Sequence, residues 1–194
     1  MPLAAWMAVV AGGCTERDYP VETGAGVPIN LAADYQTTTR VTDAGFTDED
    51  RMGIFITDYV DGTPQPLGLT GNRVNNMLYT YREADNRWEG TTTVYWKDDH
   101  TPVDVVGYYP FDGQLASVNQ YEFSVQPHQE TSATDVAKGG YEASDLLWSK
   151  NKQVAPTKET IRLMYHHLMA GVTVRLEQGT GFAEGEWAKA VKQV

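Results

Sequence analysis

The sequence predicts an all-β protein, an antiparallel β-sandwich. Three observations carry this prediction. Short apolar, β-branched and aromatic runs recur along the 194 residues, and clusters of Gly, Pro and Asp separate them. A convincing helical pattern occurs only near the C-terminus. Short strands at such spacing, with turn signals between them, are typical of a sandwich.

Four strands are expected in the N-terminal half. Residues 27–35 form a weak first strand, and residues 52–60 are apolar on both faces, as in a central strand. The turn cluster DGTPQPLG follows the second of these. Residues 76–81 and the β-branched, aromatic residues 91–96 give two further strands, separated by the turn EADNR.

Three more strands are expected in the C-terminal half, at residues 103–111, 121–125 and 161–176. In YEFSV, residues 121–125, apolar and polar side chains alternate, which indicates a strand with one buried face. In residues 161–176 the apolar positions change parity midway. A β-bulge or kink near residues 169–171 would reconcile the two halves of this strand.

A short C-terminal helix is expected within residues 182–194. Trp187, Val191 and Val194 lie four and then three positions apart, which places them on one helical face. A short helix that enters a strand at Val191 fits the same pattern equally well.

The N-terminal residues resemble an export signal. Residues 1–13 are apolar and end in small residues, without the basic stretch that usually opens a signal peptide. Cys14, the single cysteine of the chain, follows two glycines directly, as in a bacterial lipobox, so lipidation of its thiol is expected. The alternative is an ordinary buried cysteine in a short helix. The polar residues 15–26 are predicted to be a flexible tether.

Composition and charge argue against several classes of function. The formal net charge is −11 and no Lys/Arg cluster interrupts it, so no nucleic-acid partner is expected. One cysteine forms no internal disulfide. No Gly-rich phosphate loop, nucleophile elbow or Cys/His pair is present, so neither an enzyme nor a cofactor is predicted.

Acidic, histidine and aromatic residues are the candidates for a chemical role. Two acidic groups, Asp98-Asp99 and residues 48–50, lie in turn-like segments and are expected to be solvated charges; an enzyme would need two of them to converge in a cleft. His166 and His167 point to opposite faces of a strand, and no metal site is expected. The aromatic residues are expected to pack across strands, and a sugar-stacking surface is the alternative.

The order of several segments resembles the fimbrillin-like proteins of Bacteroidetes. The resemblance runs from about residue 27 to the end of the chain and follows the apparent lipobox. It is carried by TTTRVTDAGFTDEDRMGIF, VYWKDD, VDVVGYYPF, YEFSVQPHQ, YEASDLLWS and IRLMYHHLMAGVTVRL.

This resemblance implies export as a lipoprotein to the outer membrane and a transthyretin-like β-sandwich. It further implies that an Arg-directed protease removes the lipidated N-terminal segment with its first strand, and that a strand of another subunit fills the groove. Cys14 matches the lipidated cysteine, and Arg40 matches the cleavage position, with Arg17 a poorer candidate. The alternative at Arg40 is a plain turn residue that is not cut.

The predicted organisation has three parts. Residues 1–13 are the signal peptide, residues 14–40 are the lipidated tether and first strand, and residues 41–194 are an N-terminal β-sandwich domain. Family members usually carry a further C-terminal domain, so the chain is expected to be a fragment. The predicted function is that of a fimbrial subunit at the cell surface, joined to other subunits by strand addition. The alternative is a non-polymerising surface lipoprotein that binds glycans or host ligands.

Overall fold

Eight β-strands make up nearly all of the regular structure that the computed structural model describes, which comprises residues 26–35, 46–129, 140–170, 177 and 180–181. A 3₁₀ turn (Glu83–Asp85) and one helical turn, α1 (Gly140–Ala143), are the helical elements of these residues. The strands are β1 (Leu31–Tyr35), β2 (Arg51–Val60), β3 (Thr63–Pro64), β4 (Val74–Arg82), β5 (Arg87–Gly90), β6 (Val103–Tyr109), β7 (Leu147–Val154) and β8 (Ile161–His167).

The strands form one sheet with the order β1-β8-β7-β6-β2-β4-β5, and β3 pairs with the end of β2. Every pairing is antiparallel except that of β1 with β8, which is parallel. The β2–β3 hairpin turns at Asp61 and Gly62, which both have positive φ angles. A two-residue turn of this hand matches the twist of the flanking strands.

Strands β2 and β6 occupy the centre of the sheet because their sequences are apolar on both faces. Residues 52–57 of β2 and all of β6 are buried. One face carries the main core, and the other carries a smaller cluster. The main core contains Ile29, Leu31, Met52, Ile54, Ile56, Val74, Tyr79, Trp88, Trp96, Val103, Val105, Tyr109, Leu147, Ile161, Leu163 and Tyr165. The smaller cluster consists of Phe55, Val106 and Tyr108 and is covered by Leu67, Leu115, Val118 and Trp148.

Tyrosine rings cover two strand glycines. Gly53 of β2 pairs with Tyr108 of β6, whose ring lies where a β-carbon at Gly53 would be. Gly90 of β5 pairs with Tyr79 of β4 in the same way, with the ring 2.8 Å from an ideal β-carbon. Cross-strand aromatic residues stabilise strand glycines by covering the bare backbone. The tyrosine packing therefore requires glycine at both positions.

A β-bulge bends β4 against β2, where the register shifts between Ile54 and Ile56. Asn76 of β4 has a φ of 44° and donates its amide to the Asp112 carbonyl at 2.8 Å. The Tyr108 hydroxyl donates to the Asn76 side-chain oxygen at 2.7 Å. A side chain that tolerates the left-handed conformation and bonds on both sides thus fixes the bulge.

The sequence predictions of strands are confirmed at the centre of the sheet and wrong at two places. Residues 91–96 contain a single bridge, at Tyr95, and residues 121–125 form no strand. Strands β5 and β7 were not predicted. Strand β8 ends at His167, and the bulge expected near residues 169–171 falls partly outside the described residues.

The prediction of an all-β protein is confirmed, and the sheet curls until its two ends nearly meet. The finer prediction, a transthyretin-like sandwich, is not confirmed by this single sheet. The C-terminal helix expected at residues 182–194 lies outside the described residues. Within the described residues, no helix has the length and apolar character needed to cross a membrane.

Candidate strand-exchange groove

The segment of residues 27–35, called here the first-strand segment, connects the two ends of the curled sheet. Its first half runs antiparallel to residues 94–96: the Ile29 amide donates to the Val94 carbonyl at 2.8 Å, and the Trp96 amide donates to the Val27 carbonyl at 3.0 Å. Its second half, β1, runs parallel to β8 and starts at the bond from the Ile161 amide to the Asn30 carbonyl, 2.9 Å. The segment is thus held by main-chain bonds on both sides.

Side chains of the first-strand segment alternate between the core and the outside. Ile29 and Leu31 are each 5% exposed, and Val27 and Ala33 pack against the same core. Because side chains alternate along an extended chain, these four residues share one face. Burial of Ile29 and Leu31 contributes at most about 3–6 kcal/mol, at roughly 1.5–3 kcal/mol for each aliphatic side chain.

The space that residues 27–33 fill is called here the edge groove. β8 bounds it on one side and residues 94–96 on the other. On the outer face, the Asp34 carboxylate pairs with the Arg162 guanidinium at 2.9 Å, and the two side chains are 47% and 75% exposed. Such an exposed pair adds little stability, but it distinguishes one register from another.

The wall formed by residues 94–96 is fixed independently of the first-strand segment. Trp96 is 2% exposed and donates its indole N–H to the Thr157 carbonyl at 2.9 Å. The Arg73 guanidinium donates to the Tyr95 carbonyl at 2.9 Å and pairs with Asp58 at 2.6 Å. These contacts come from the body of the protein and not from the first-strand segment.

Phe46 anchors the chain where the described body begins. Its ring lies 4.9 Å from that of Trp88, 5.7 Å from that of Tyr109 and 6.1 Å from that of Tyr165, measured between centroids. All three contacts are edge-to-face, the geometry that aromatic pairs favour. A ring held on three sides fixes the chain at residue 46.

Asp50 secures the turn that follows Phe46. One carboxylate oxygen accepts the Thr47 amide at 2.8 Å, and the other accepts the Tyr109 hydroxyl at 3.2 Å. Main-chain bonds join Asp50 and Glu49 to Tyr81 of β4. The prediction that residues 48–50 carry solvated charges is therefore wrong for Asp50, which is 4% exposed. A buried carboxylate is tolerated here because it is hydrogen-bonded.

The other predicted acidic group, Asp98-Asp99, caps its own turn. The Thr101 hydroxyl and amide donate to the Asp98 carboxylate at 2.7 and 2.5 Å, and these bonds lower the pKa of Asp98 to about 2. The hydrogen bond to Asp99 raises the pKa of His100. Ligand atoms of Asp98, Asp99 and His100 lie within 4.8 Å of one another, but their hydrogen bonds account for the cluster without an ion.

His166 and His167 face opposite sides of β8, and most aromatic side chains that the structure describes are buried or half-buried. His166 is exposed, and His167 turns to the other side of β8, where its Nδ1 lies 2.8 Å from the Asp145 carboxylate. Among the side chains that the structure describes, Tyr95 is the exposed aromatic one, at 48%. The sugar-stacking surface, the alternative expectation, stays a prediction.

The two site residues predicted from the sequence, Cys14 and Arg40, both lie outside the described residues and remain predictions. The sequence did not single out Phe46, Trp96 or Arg162. All three belong to segments that carried the family resemblance. The ion pair of Arg162 has no local sequence signal, because its partner Asp34 is 128 residues away.

The fold and the groove define a β-sheet domain whose core is completed by a segment that precedes the body. The sequence profile described as fimbrillin-like matches residues 39–193. This match covers most of the chain, and the chain therefore belongs to the fimbrillin-like family.

Individual relatives are more distant. A Bacteroides uniformis protein described as "Putative fimbrium subunit Fim1C" is 28% identical over 128 residues, which cover 63% of this chain and 40% of that protein. Two crystal structures, each of a "putative cell adhesion protein", come from Bacteroides uniformis and Bacteroides ovatus. They are 19% and 18% identical to this chain, cover 72% of it, and have TM-scores of 0.44 and 0.47. The chain spans 40% of the fimbrium subunit, and 47% and 52% of the two crystallised chains.

Proposed function

We propose that this chain is a structural subunit of a cell-surface fimbria and that it assembles by strand exchange. The first-strand segment leaves the body, and a strand of a neighbouring subunit takes its position in the edge groove. One observation carries the proposal: a segment ahead of the body supplies core side chains, yet joins the sheet at its two open ends. Family membership and the description of the fimbrium subunit support a fimbrial role at the cell surface.

The energetics favour replacement of the segment over its simple loss. Without it, the apolar side of the groove, which includes Ile161, Leu163 and Trp96, would face water. The amides of Trp96 and Ile161 would also lose their acceptors. A second extended strand would restore both the burial and the bonds. Strand exchange is therefore close to balanced in energy, and each subunit finishes the sheet of the next.

Export and maturation form the second part of the proposal. Cys14 carries acyl chains that hold the precursor on the outer membrane. A protease then cuts after Arg40, between the end of β1 at Tyr35 and the anchored ring of Phe46. The cut separates the first-strand segment from a body that starts at a fixed point. The segment then leaves without unravelling β2.

The maturation step is tested in a bacterium that carries an Arg-directed surface protease and expresses the protein from its whole gene. Three forms are compared: wild type, Arg40→Ala, and Arg17→Ala as the matched control. The N-terminus is determined by mass spectrometry, and polymers are detected as SDS-resistant ladders. We expect wild type and Arg17→Ala to start at Val41 and to form ladders. We expect Arg40→Ala to keep its first strand and to stay monomeric.

Two results would overturn this function. Ladders that retain residues 27–35 in every subunit would show assembly without strand exchange. A wild-type protein that stays monomeric, with an acylated Cys14 as its N-terminus, would favour the non-polymerising surface lipoprotein. The lipid anchor is tested separately with Cys14→Ser, which we expect to lose its association with the membrane fraction.

A further inference from the structure

We propose that the edge groove selects its incoming strand by a defined pattern and direction, an inference that rests on the proposed strand exchange. The partner is an extended segment of a neighbouring subunit that runs parallel to β8. It carries apolar residues at four alternate positions and a carboxylate directly after the last of them. The four positions are those of Val27, Ile29, Leu31 and Ala33, and the carboxylate takes the place of Asp34.

The direction of the strand is set because the groove has two different walls. Residues 94–96 bond an antiparallel neighbour, whereas β8 bonds a parallel one. The change of partner falls at Ile29 and Asn30: the Ile29 amide donates to Val94, and the Asn30 carbonyl accepts from Ile161. Parallel and antiparallel ladders space their bonds differently. A strand inserted in reverse would therefore lose its match to both walls.

The register is set by alternation. Ile29 and Leu31 are almost fully buried, while Asn30 between them is exposed. A shift by one residue would move Ile29 and Leu31 to the outside and put the polar Asn30 into the core. A shift by two residues keeps the alternation, so a second feature has to exclude it.

Arg162 supplies that second feature. Asp34 is its single ion-pair partner among the described residues, so departure of the first-strand segment leaves the guanidinium unpaired. The chain has a net charge of −11, which makes an isolated cation at the rim of the groove distinctive. An incoming carboxylate at the position of Asp34 restores the pair, and a two-residue shift towards the end of β8 moves it further from Arg162. The reverse shift brings it opposite Arg162, but it puts the small Ala33 side chain in the place of the buried Leu31 and leaves the core underfilled. Charge of this kind contributes specificity more than affinity.

The test uses the full chain with a site-specific protease sequence inserted after Arg40. The folded protein is cut, and labelled peptides are offered to it in place of residues 26–35. The peptides are the native sequence, a permuted one with the apolar residues at even positions, and the variants Leu31→Asp and Asp34→Lys. Incorporation is followed by fluorescence anisotropy and native mass spectrometry. The Asp34→Lys peptide is also offered to the Arg162→Glu protein.

We expect the native peptide to enter. The permuted and Leu31→Asp peptides should bind at least about 100-fold more weakly than the native peptide, because a polar group would enter the core without a partner. Asp34→Lys should weaken binding about 2- to 5-fold, as expected for an exposed pair, and the Arg162→Glu protein should reverse this order.

The outcomes separate the two proposals. If no peptide enters, including the native one, then strand exchange itself fails. If the permuted peptide enters as well as the native one, exchange stands and the pattern is wrong. If Asp34→Lys binds equally to both proteins, the role of Arg162 is wrong while the alternation stands.

Discussion

Replacement of Phe46 by alanine should strongly destabilise the body, although this side chain is only partly buried. A fully buried Phe→Ala change removes about 3–5 kcal/mol. The exposed part of the Phe46 ring lowers that figure, and the edge-to-face contacts with Trp88, Tyr109 and Tyr165 raise it, at about 0.5–1.5 kcal/mol for each aromatic pair. We therefore expect a loss of about 3 kcal/mol in the free energy of unfolding.

Urea titration followed by tryptophan fluorescence measures this loss, because Trp88 lies against Phe46 and reports on its site. Phe123→Ala is the matched control. Its ring is also partly buried, but its one ring neighbour in the described chain is Tyr121, at 6.2 Å. We expect the control to lose about 1 kcal/mol. If Phe46→Ala loses no more than Phe123→Ala, Phe46 does not anchor the start of the body.

Three further predictions follow from single contacts. Gly53→Ala should destabilise the protein by about 1–3 kcal/mol, because the new methyl group would displace the Tyr108 ring; an unchanged melting temperature would contradict this. Ser149→Ala should leave stability unchanged or raise it by up to about 1 kcal/mol, since the buried Ser149 hydroxyl has no hydrogen-bond partner in the described chain; a clear loss in urea titration would show a partner. The Asp98 pKa is near 2 in the folded protein against 3.8 unfolded. The stability contributed by the ionised Asp98 carboxylate is therefore complete above about pH 4 and is lost as the pH falls towards 2. Asp98→Asn should therefore flatten the acid limb of the stability profile, and an identical limb in both proteins would refute this.

The centre of the fold was predictable from sequence because its strands are apolar on both faces or alternate strictly. β2 and β6 are continuous apolar runs, and in β8 the buried residues Ile161, Leu163 and Tyr165 share one parity, as predicted. Both patterns reflect burial, which is what hydrophobic periodicity measures. The elements whose burial is one-sided or slight were harder to predict.

The missed strands are polar for physical reasons. β7 buries Leu147 and Ser149 but then carries mainly exposed side chains, and β5 is a four-residue edge strand whose charged residues alternate with Trp88. Charges on a short edge strand protect it from unwanted pairing. Conversely, residues 121–125 alternate without forming a strand. The Tyr121 ring packs on that of Tyr108 at 6.1 Å, and Tyr121 and Phe123 are partly buried, but Val125 is 53% exposed. Alternation here indicated side chains that pack, and a docked loop can supply such packing without a ladder.

The groove could not be derived from local patterns, because its walls come from distant parts of the chain. Residues 27–35 look like a weak strand in the sequence, and nothing local shows that one half faces residues 94–96 and the other faces β8. That division explains why the segment is suited to exchange. A strand inside the sheet would break its hydrogen bonds to two neighbouring strands when it left. This segment changes its neighbour midway and is paired on one side at each point. It holds the core through its side chains and the sheet through few main-chain bonds, so a strand with the same alternation can replace it.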